Sequence, residues 1–377
     1  MIAADFIKGV GVFMKEEFNL EHYLSDGVEN IVKNAIRSSL SNPKESIFLA
    51  KYAVAAKNAR NLRHIAEEKG EHIPPFLIAS IASTCNLYCT GCYARANHSC
   101  HEQKDSNQLG EQDWMRIFKE AETLGISFIL LAGGEPLTRR EVIAGAGNIH
   151  NVMFPVFTNG TLLSEDYITL FDQIRNLVPI LSIEGDEATT DQRRGAGVYQ
   201  KVTETMDRLK KRKILYGASI TVTKDNIHEV TSPAFLEHLQ ERGCKSVIYV
   251  EYVPMTEDTK KLAPGDPERE FLKEALEKLR TGIKDMLFIS FPGDEKAYGG
   301  CLAAGRGFFH INPQGGVEPC PFSPFSDTNL CSVTLREALN SPLFRKLGEQ
   351  NLMTKEHSGG CVLFEQRDQV QAILAEN

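Results

Sequence analysis

The sequence lacks both a long apolar run and a basic N-terminal leader. No uninterrupted apolar stretch approaches the roughly 18 residues of a membrane-spanning helix. The first residues, Met1–Lys8, do not combine a basic segment with an apolar one. We therefore expect no transmembrane segment, no secretory signal and a cytoplasmic location.

An excess of positive charge is missing as well. The 377 residues include 42 Lys and Arg against 50 Asp and Glu, which gives a formal net charge of -8. This balance argues against a general binder of nucleic acids or anionic membranes. Because single hydrophobic cores stop growing at about 250 to 300 residues, we expect more than one domain.

Cysteine, by contrast, is plentiful, with nine residues. Cytosolic thiols are kept reduced, and an odd number of cysteines cannot pair completely. We therefore interpret the cysteines as metal ligands rather than as disulfide partners.

From Pro74 onward, the sequence alternates between strand and helix patterns, which is typical of a parallel sheet covered by helices. The six predicted strands are Phe76–Thr84, Ser127–Ala132, Val152–Thr158, Val178–Glu184, Gly217–Thr223 and Ser246–Val253. One predicted helix carries apolar side chains at helical spacing, namely Trp114, Ile117, Phe118, Ala121 and Leu124. The other predicted helices are Ser164–Arg175, Val198–Lys213, Ile227–Arg242 and Glu268–Ile283.

Six such repeats predict an α/β fold, a partial (β/α)6 TIM-like barrel, whose functional groups lie at the carboxyl ends of the strands. Residues 1–73 have a helical pattern and form a predicted N-terminal helical segment. The barrel is assigned to residues 74–290. Residues 291–377, which are rich in Gly, Pro and Cys and have a pattern of short strands, form a predicted small C-terminal module.

Three cysteines follow the first predicted strand in the pattern Cys85-x3-Cys89-x2-Cys92. Thiolates suit zinc or iron–sulfur clusters, but zinc sites usually show paired C-x2-C or C-x2-C with His pairs. Ordinary 4Fe–4S ligation uses four cysteines. Three thiols in eight residues therefore favour a 4Fe–4S cluster with one iron open to a small chelating ligand.

The second predicted strand ends in Gly133-Gly134-Glu135-Pro136. Glycines at a strand end let the backbone approach a ligand closely, because they have no Cβ. With the cysteine motif about forty residues earlier, this segment resembles the radical S-adenosylmethionine (SAM) superfamily. The resemblance covers roughly residues 74 to 365.

The resemblance implies a function for each part of this site. Cys85, Cys89 and Cys92 would ligate a 4Fe–4S cluster whose open iron is chelated by SAM. A reducing partner such as flavodoxin or ferredoxin would drive cleavage of SAM to a 5′-deoxyadenosyl radical. That radical would abstract hydrogen from a substrate, either a peptide or protein or a small molecule, and no nucleic acid is expected as a partner.

The same resemblance implies the residues that contact SAM. The backbone of Gly133 and Gly134 would accept from the amine of SAM, and Glu135 belongs to the same motif. Ser182 and Arg194 match a serine and an arginine that hold SAM in relatives, the arginine through a charge-assisted pair with the SAM carboxylate.

The C-terminal pattern Cys301-x3-Gly305-x14-Cys320 resembles the start of the SPASM and Twitch auxiliary-cluster modules. Cys331 and Cys361 would complete the ligands of one auxiliary 4Fe–4S cluster. Two alternatives remain open. Cys331 could be a buried thiol beside a cluster that is open to substrate, or a histidine, His310 or His357, could be a ligand.

Several residues have more than one possible role. Glu251 and Tyr252, at the end of the sixth strand, are candidate proton acceptors or residues of the core or of a salt bridge. Cys100 and Cys244 remain outside both sites, although Cys100 could face the substrate. The alternative for the whole chain is a non-catalytic iron–sulfur electron carrier or scaffold, which leaves Gly133, Gly134 and Arg194 without a function.

Overall fold

The computed structural model describes residues 43–103, 105–298, 300–354 and 360–376. Its centre is a nine-stranded sheet in the order β7-β6-β5-β4-β3-β2-β1-β8-β9. The strands are β1 (Phe76–Ala82), β2 (Phe128–Gly133), β3 (Phe154–Thr158), β4 (Leu177–Ser182), β5 (Gly217–Val222), β6 (Ser246–Glu251), β7 (Leu287–Phe291), β8 (His310–Ile311) and β9 (Val317–Glu318). Strands β1 to β7 pair in parallel with their neighbours.

The predicted α/β class and partial barrel are confirmed, and each end of the six predicted strands lies within two residues of its expected position. These strands are almost continuously apolar because helices cover the parallel sheet. In β1, six of the seven residues Phe76–Ala82 are buried.

Two features of the sheet were not predicted, namely the strand β7 and the pairing of the short C-terminal strands with the barrel sheet. β7 extends the parallel sheet beyond β6. On the other side, β8 pairs in parallel with β1, and β9 pairs antiparallel with β8. The hairpin of the C-terminal region therefore continues the barrel sheet next to the strand that leads into the first cysteines. The bounds 1–73, 74–290 and 291–377 stay predictions.

Helices cover the sheet between the strands and in the C-terminal region. They are α1 (Pro43–Glu67), α2 (Tyr93–Ala96), α3 (Glu111–Leu124), α4 (Arg140–Ala146), α5 (Glu165–Gln173), α6 (Glu187–Arg194), α7 (Val198–Lys211), α8 (Ile227–Val230), α9 (Pro233–Glu241), α10 (Asp266–Gly282), α11 (Leu335–Leu339), α12 (Pro342–Glu349), α13 (Val362–Glu365) and α14 (Arg367–Ala375). Short 3-10 helices span Pro136–Thr138, Glu257–Leu262, Gly293–Tyr298 and Leu352–Thr354.

The five apolar residues predicted to pack α3 on the sheet are all buried. The predicted helix Ile227–Arg242, however, is two helices, α8 and α9. Pro233 begins α9 and the Ser232 hydroxyl accepts from the N–H of Phe235 at 3.3 Å. Proline has no N–H to continue α8, and it suits the first turn of a new helix.

α1 lies near the amino ends of the strands. Its Leu49 and Tyr52 pack in one apolar cluster with Met153, and the Tyr52 hydroxyl donates to the carbonyl of Ser127 at 3.1 Å. Met153 and Ser127 directly precede β3 and β2. α1 therefore covers the end of the barrel opposite the predicted site. The helices predicted within residues 1–42 lie outside the described residues, and none of the helices described here is long and apolar enough to cross a membrane.

Candidate functional site

The cysteine loop, residues 83–92, follows the carboxyl end of β1 and carries three half-buried free thiols, those of Cys85, Cys89 and Cys92. Arg95 holds the start of this loop, since its Nη2 donates to the carbonyls of Cys85 at 3.2 Å and Leu87 at 2.9 Å. Its guanidinium also lies over the ring of Tyr88, 3.9 Å from the centroid. Arg95 thus fixes the backbone and one side chain of the cysteine loop.

The glycine turn, Gly133 and Gly134, lies directly against the cysteine loop. The N–H of Gly134 donates to the carbonyl of Ala82 at 2.7 Å, and the N–H of Glu135 donates to that of Thr84 at 2.8 Å. A Cβ on Gly133, whose φ is +115°, would lie 2.5 Å from the Ala82 oxygen, and one on Gly134 would lie 2.2 Å from the Thr84 oxygen. Contact within the chain therefore already requires both glycines, before any ligand is considered.

Glu135 connects the glycine turn to β3. Its carboxylate is buried and accepts from the N–H of Leu137 at 3.0 Å, the hydroxyl of Thr158 at 2.6 Å and the N–H of Asn159 at 2.8 Å. Burial raises the pKa of Glu135, while these hydrogen bonds work in the opposite direction. The side chain predicted to contact SAM thus joins the ends of two strands.

Asn159, which sequence reasoning missed, extends this network to the first cysteine. Its Nδ2 donates to Oδ1 of Asn86 at 3.0 Å and lies 3.9 Å from Sγ of Cys85. The available signal was its position, because Asn159-Gly160 directly follows the carboxyl end of β3.

Glu184 holds two arginines beside the cysteine loop. Its buried Oε1 accepts from Nη1 of Arg193 and Nε of Arg194, each at 2.7 Å, while Oε2 accepts from the N–H of Thr221 at 2.8 Å. Nη1 of Arg194 lies 4.0 Å from Sγ of Cys89. Burial works against the charge of Arg194, but Glu184 and the thiol of Cys89 raise its pKa. A fixed cation therefore lies at the cysteine loop.

The other candidates at this edge have distinct positions. Ser182 is the half-buried last residue of β4, in register with Ser219 of β5. Glu251 is buried, and its carboxylate accepts from Nε of Arg269 at 2.7 Å. Of its alternative roles, the salt bridge is therefore the one that the structure contains.

Tyr252 reaches across the barrel to the cysteine loop. Its side chain is 3% exposed, and its hydroxyl has no hydrogen-bond partner among the described residues. A Cβ on Gly91, between Cys89 and Cys92, would lie 2.2 Å from that hydroxyl. A buried hydroxyl without a partner is costly, so this atom is a candidate contact for a bound group.

A second group of thiols lies in the C-terminal region. Cys301, Cys320 and Cys361 interact electrostatically with one another and with Glu295. Burial is the main cause that raises the pKa of all three thiols, that of Cys361 to about 12. Burial also raises the pKa of Glu295 to about 7, against a hydrogen bond from the Cys301 thiol.

Cys331 is not part of this group. It is exposed, and its segment packs against the outer helix α3, where Nη2 of Arg116 donates to the carbonyl of Leu330 at 2.6 Å. Both ring nitrogens of His310 are engaged, one with Ser80 and one with Glu318, each at 2.7 Å. His357 lies outside the described residues.

The remaining cysteines are buried. Cys100 lies behind the glycine turn, where a Cβ on Gly134 would be 3.1 Å from its sulfur, and it interacts electrostatically with Cys89 and Cys92. Sγ of Cys244 donates to the carbonyl of Ser246 at 3.2 Å. Within the described ranges, no three His, Cys, Asp or Glu side chains are arranged to hold a single metal ion. This finding does not apply to an iron–sulfur cluster, in which each cysteine binds a different iron and the thiols lie farther apart than the ligands of a single ion.

Comparison with known proteins agrees with this fold. The model of the radical SAM superfamily matches residues 80–232. An AdoMet-dependent heme synthase of Methanosarcina barkeri is 27% identical over 320 residues, 77% of this chain and 88% of that protein. A PqqA peptide cyclase of Granulibacter bethesdensis is 25% identical over 66% of this chain and 68% of its own length.

Two other relatives are matched over only 44% and 40% of their own lengths. Among solved structures, Streptococcus suis SuiB bound to S-adenosylmethionine has the same fold, with a TM-score of 0.65, 17% identity and coverage of 81% of this chain and 77% of that one. The family model and the relatives together support the radical SAM superfamily for this chain.

Proposed function

We propose that this chain is a radical SAM enzyme in which Cys85, Cys89 and Cys92 bind a 4Fe–4S cluster with one iron open to SAM. The main observation behind this proposal is that the cysteine loop contacts residues at the carboxyl ends of neighbouring strands. The N–H groups of Gly134 and Glu135 donate to the carbonyls of Ala82 and Thr84. Nη1 of Arg194 lies 4.0 Å from Sγ of Cys89. Chemistry at the carboxyl edge is typical of such barrels.

The described residues fit the group. The three thiols are free and soft donors, and the Tyr252 hydroxyl is a buried polar atom that lacks a partner among the described residues. When bound, the cluster and SAM would supply a 5′-deoxyadenosyl radical that takes hydrogen from the substrate.

The residues of the chain would position and shield this chemistry. Glu184 fixes the guanidinium of Arg194 beside Cys89, where a cation would attract the carboxylate of SAM. Glu135, which follows β2, and Asn159, which follows β3, bind each other and hold the cysteine loop at Thr84 and Asn86. Tyr252 closes the side of the loop that faces β6 and would exclude water there.

We also propose an auxiliary 4Fe–4S cluster of Twitch or reduced SPASM type at Cys301, Cys320 and Cys361. The convergence of three free thiols, of which Cys320 is buried and Cys301 and Cys361 are half-buried, supports this proposal, since cysteine thiolates gathered at one place are the usual ligands of iron–sulfur clusters. Electrons would come from a reducing partner such as flavodoxin or ferredoxin.

The alternative is a non-catalytic iron–sulfur carrier. The glycine turn no longer separates the two hypotheses, because contact within the chain requires both glycines. The unpartnered hydroxyl of Tyr252 and the cation of Arg194 beside Cys89 still favour a bound ligand.

SAM cleavage tests the enzyme hypothesis directly. After anaerobic reconstitution, dithionite is added with SAM, and 5′-deoxyadenosine is measured by chromatography. We expect product from the wild type and from Cys331→Ala, the matched control at an exposed cysteine, but none from Cys89→Ala. A wild type that binds iron and SAM without forming product would support the carrier instead, and equal product from Cys89→Ala would reject the assigned cluster ligands.

We propose that the substrate is a tetrapyrrole rather than a peptide. The named heme synthase is matched over 88% of its length and the named peptide cyclase over 68%. Titration with an iron porphyrin should shift its main absorption band with one molecule bound per chain. The absence of a shift would leave a peptide or protein as the substrate class.

A further inference from the structure

A buried carboxylate lies among the three C-terminal thiols. Glu295 belongs to the 3-10 helix Gly293–Tyr298, which follows β7, and it is 6% exposed. Its carboxylate accepts from the thiol of Cys301 and from the N–H of Leu302. Ionised carboxylates are rarely buried unless they are paired or bound to a metal.

The same carboxylate also faces the other two cysteines. It interacts electrostatically with the thiols of Cys320 and Cys361, as well as with Cys301. Glu251, a second acidic residue near Cys361, is already paired with Arg269. Of these two acids, Glu295 is thus the one hydrogen-bonded to a cysteine of the group.

A cube of four irons needs four ligands to be closed, and the structure gathers only three cysteines here. The fourth cysteine predicted for this site, Cys331, is exposed, and its neighbour Leu330 is bound to α3. An oxygen ligand would complete the set without moving that segment.

We propose that Glu295 is the fourth ligand of the auxiliary cluster, completing the set Cys301, Cys320 and Cys361. The inference rests on the auxiliary cluster of the proposed function. A carboxylate is a harder donor than a thiolate, so the iron that it binds would differ from the other three irons. Cys331 would have no part in the site.

The test uses the full chain with Cys85, Cys89 and Cys92 changed to alanine, so that only the auxiliary cluster can form. Iron content and the electron paramagnetic resonance spectrum of the reduced protein are recorded with and without ¹⁵N-imidazole, a weak ligand for an open iron. We expect about four irons per chain and no nitrogen coupling in this parent.

Glu295→Ala should keep the iron but gain nitrogen coupling, because the corner is opened. Glu295→Gln keeps the size of the side chain and should behave in the same way. Cys331→Ala and Glu251→Gln are the matched controls for the other thiol and the other carboxylate, and both should match the parent.

Three results would overturn the inference while leaving the auxiliary cluster intact: imidazole coupling in the parent, coupling that appears in Cys331→Ala or Glu251→Gln, or Glu295 variants with unchanged spectra. A parent that binds no iron would instead reject the auxiliary cluster of the proposed function. If the alanine variant fails to fold, Glu295→Gln provides the same comparison.

Discussion

Replacing Gly134 by alanine tests whether the glycine turn is needed by the chain or by a ligand. The new Cβ would lie 2.2 Å from the Thr84 oxygen, 2.5 Å from the Thr84 carbonyl carbon and 3.1 Å from Sγ of Cys100. The first two atoms are backbone, so they cannot rotate away as the end of a side chain does. The cysteine loop must move instead.

The size of the effect follows from two opposing terms. Overpacking a tight site costs about 1–3 kcal/mol. A Gly→Ala change at a compatible backbone conformation returns about 0.4–1 kcal/mol through the unfolded chain, and Gly134, unlike Gly133, has no positive φ. We therefore expect the free energy of unfolding of the metal-free protein to fall by roughly 1–2 kcal/mol.

Urea unfolding of the metal-free protein and iron content after reconstitution are the two measurements. Gly348→Ala is the matched control, because Gly348 lies in α12 and a Cβ there meets nothing within 4 Å. It should be neutral or slightly stabilising and should bind iron normally. If metal-free Gly134→Ala is as stable as the wild type and only SAM binding is weaker, the glycines serve the ligand and our reasoning is refuted.

Three further predictions concern single residues. Glu184→Gln leaves the buried guanidinium of Arg194 without its carboxylate. Urea titrations should show that the free energy of unfolding falls by about 3–5 kcal/mol. A loss below about 1 kcal/mol would contradict a buried pair. Tyr252→Phe removes a hydroxyl that has no partner among the described residues. The free energy of unfolding of the metal-free protein should therefore stay the same or rise by up to about 1–3 kcal/mol, whereas SAM binding, measured by equilibrium dialysis, should weaken. Unchanged SAM binding would exclude this contact. Iodoacetamide at about pH 8 should modify the exposed Cys331 before Cys361, because only the thiolate reacts and burial raises the pKa of Cys361 to about 12. The thiolate fraction, and with it the rate, should grow as the pH rises. Equal rates of modification at the two cysteines, measured by mass spectrometry, would contradict this burial.

Strand bounds were predictable where covering helices make the strands apolar, and not where the strands are very short or lie next to the change in composition at Phe291. The six predicted strands are five to seven residues long, whereas β8 and β9 have two residues each. A strand of two residues is too short to show the alternation of apolar and polar side chains that predicts a strand. β7 is five residues long, but it ends at Phe291, where the composition changes, and no strand was predicted there.

The first site shows which contacts short motifs can reveal. The cysteines and the glycine turn lie within local patterns, and parallel topology alone predicts that they share one edge. Asn159 and Tyr252 reach the same loop from strands far along the chain, and neither belongs to a motif. Only the order of the strands brings them together.

The proposed auxiliary site shows the limit of counting one residue type. Four C-terminal cysteines suggested four ligands, but spacing does not reveal which thiol is buried. Cys331 directly follows Leu330, which is fixed to Arg116 of α3. Glu295 escaped notice because a lone glutamate in a charged sequence has no distinguishing pattern.

Arg194 has a role predicted from the sequence and a partner that only the structure reveals. The resemblance assigns its guanidinium to the carboxylate of SAM, yet in the folded chain Nε and Nη2 are already bound to Glu184. The third nitrogen, Nη1, is the one near Sγ of Cys89. Glu184 therefore does not compete for the whole guanidinium, because it holds one edge and turns the other toward the cysteine loop. The same contact that stabilises the buried cation also sets the direction from which an anionic ligand would approach it.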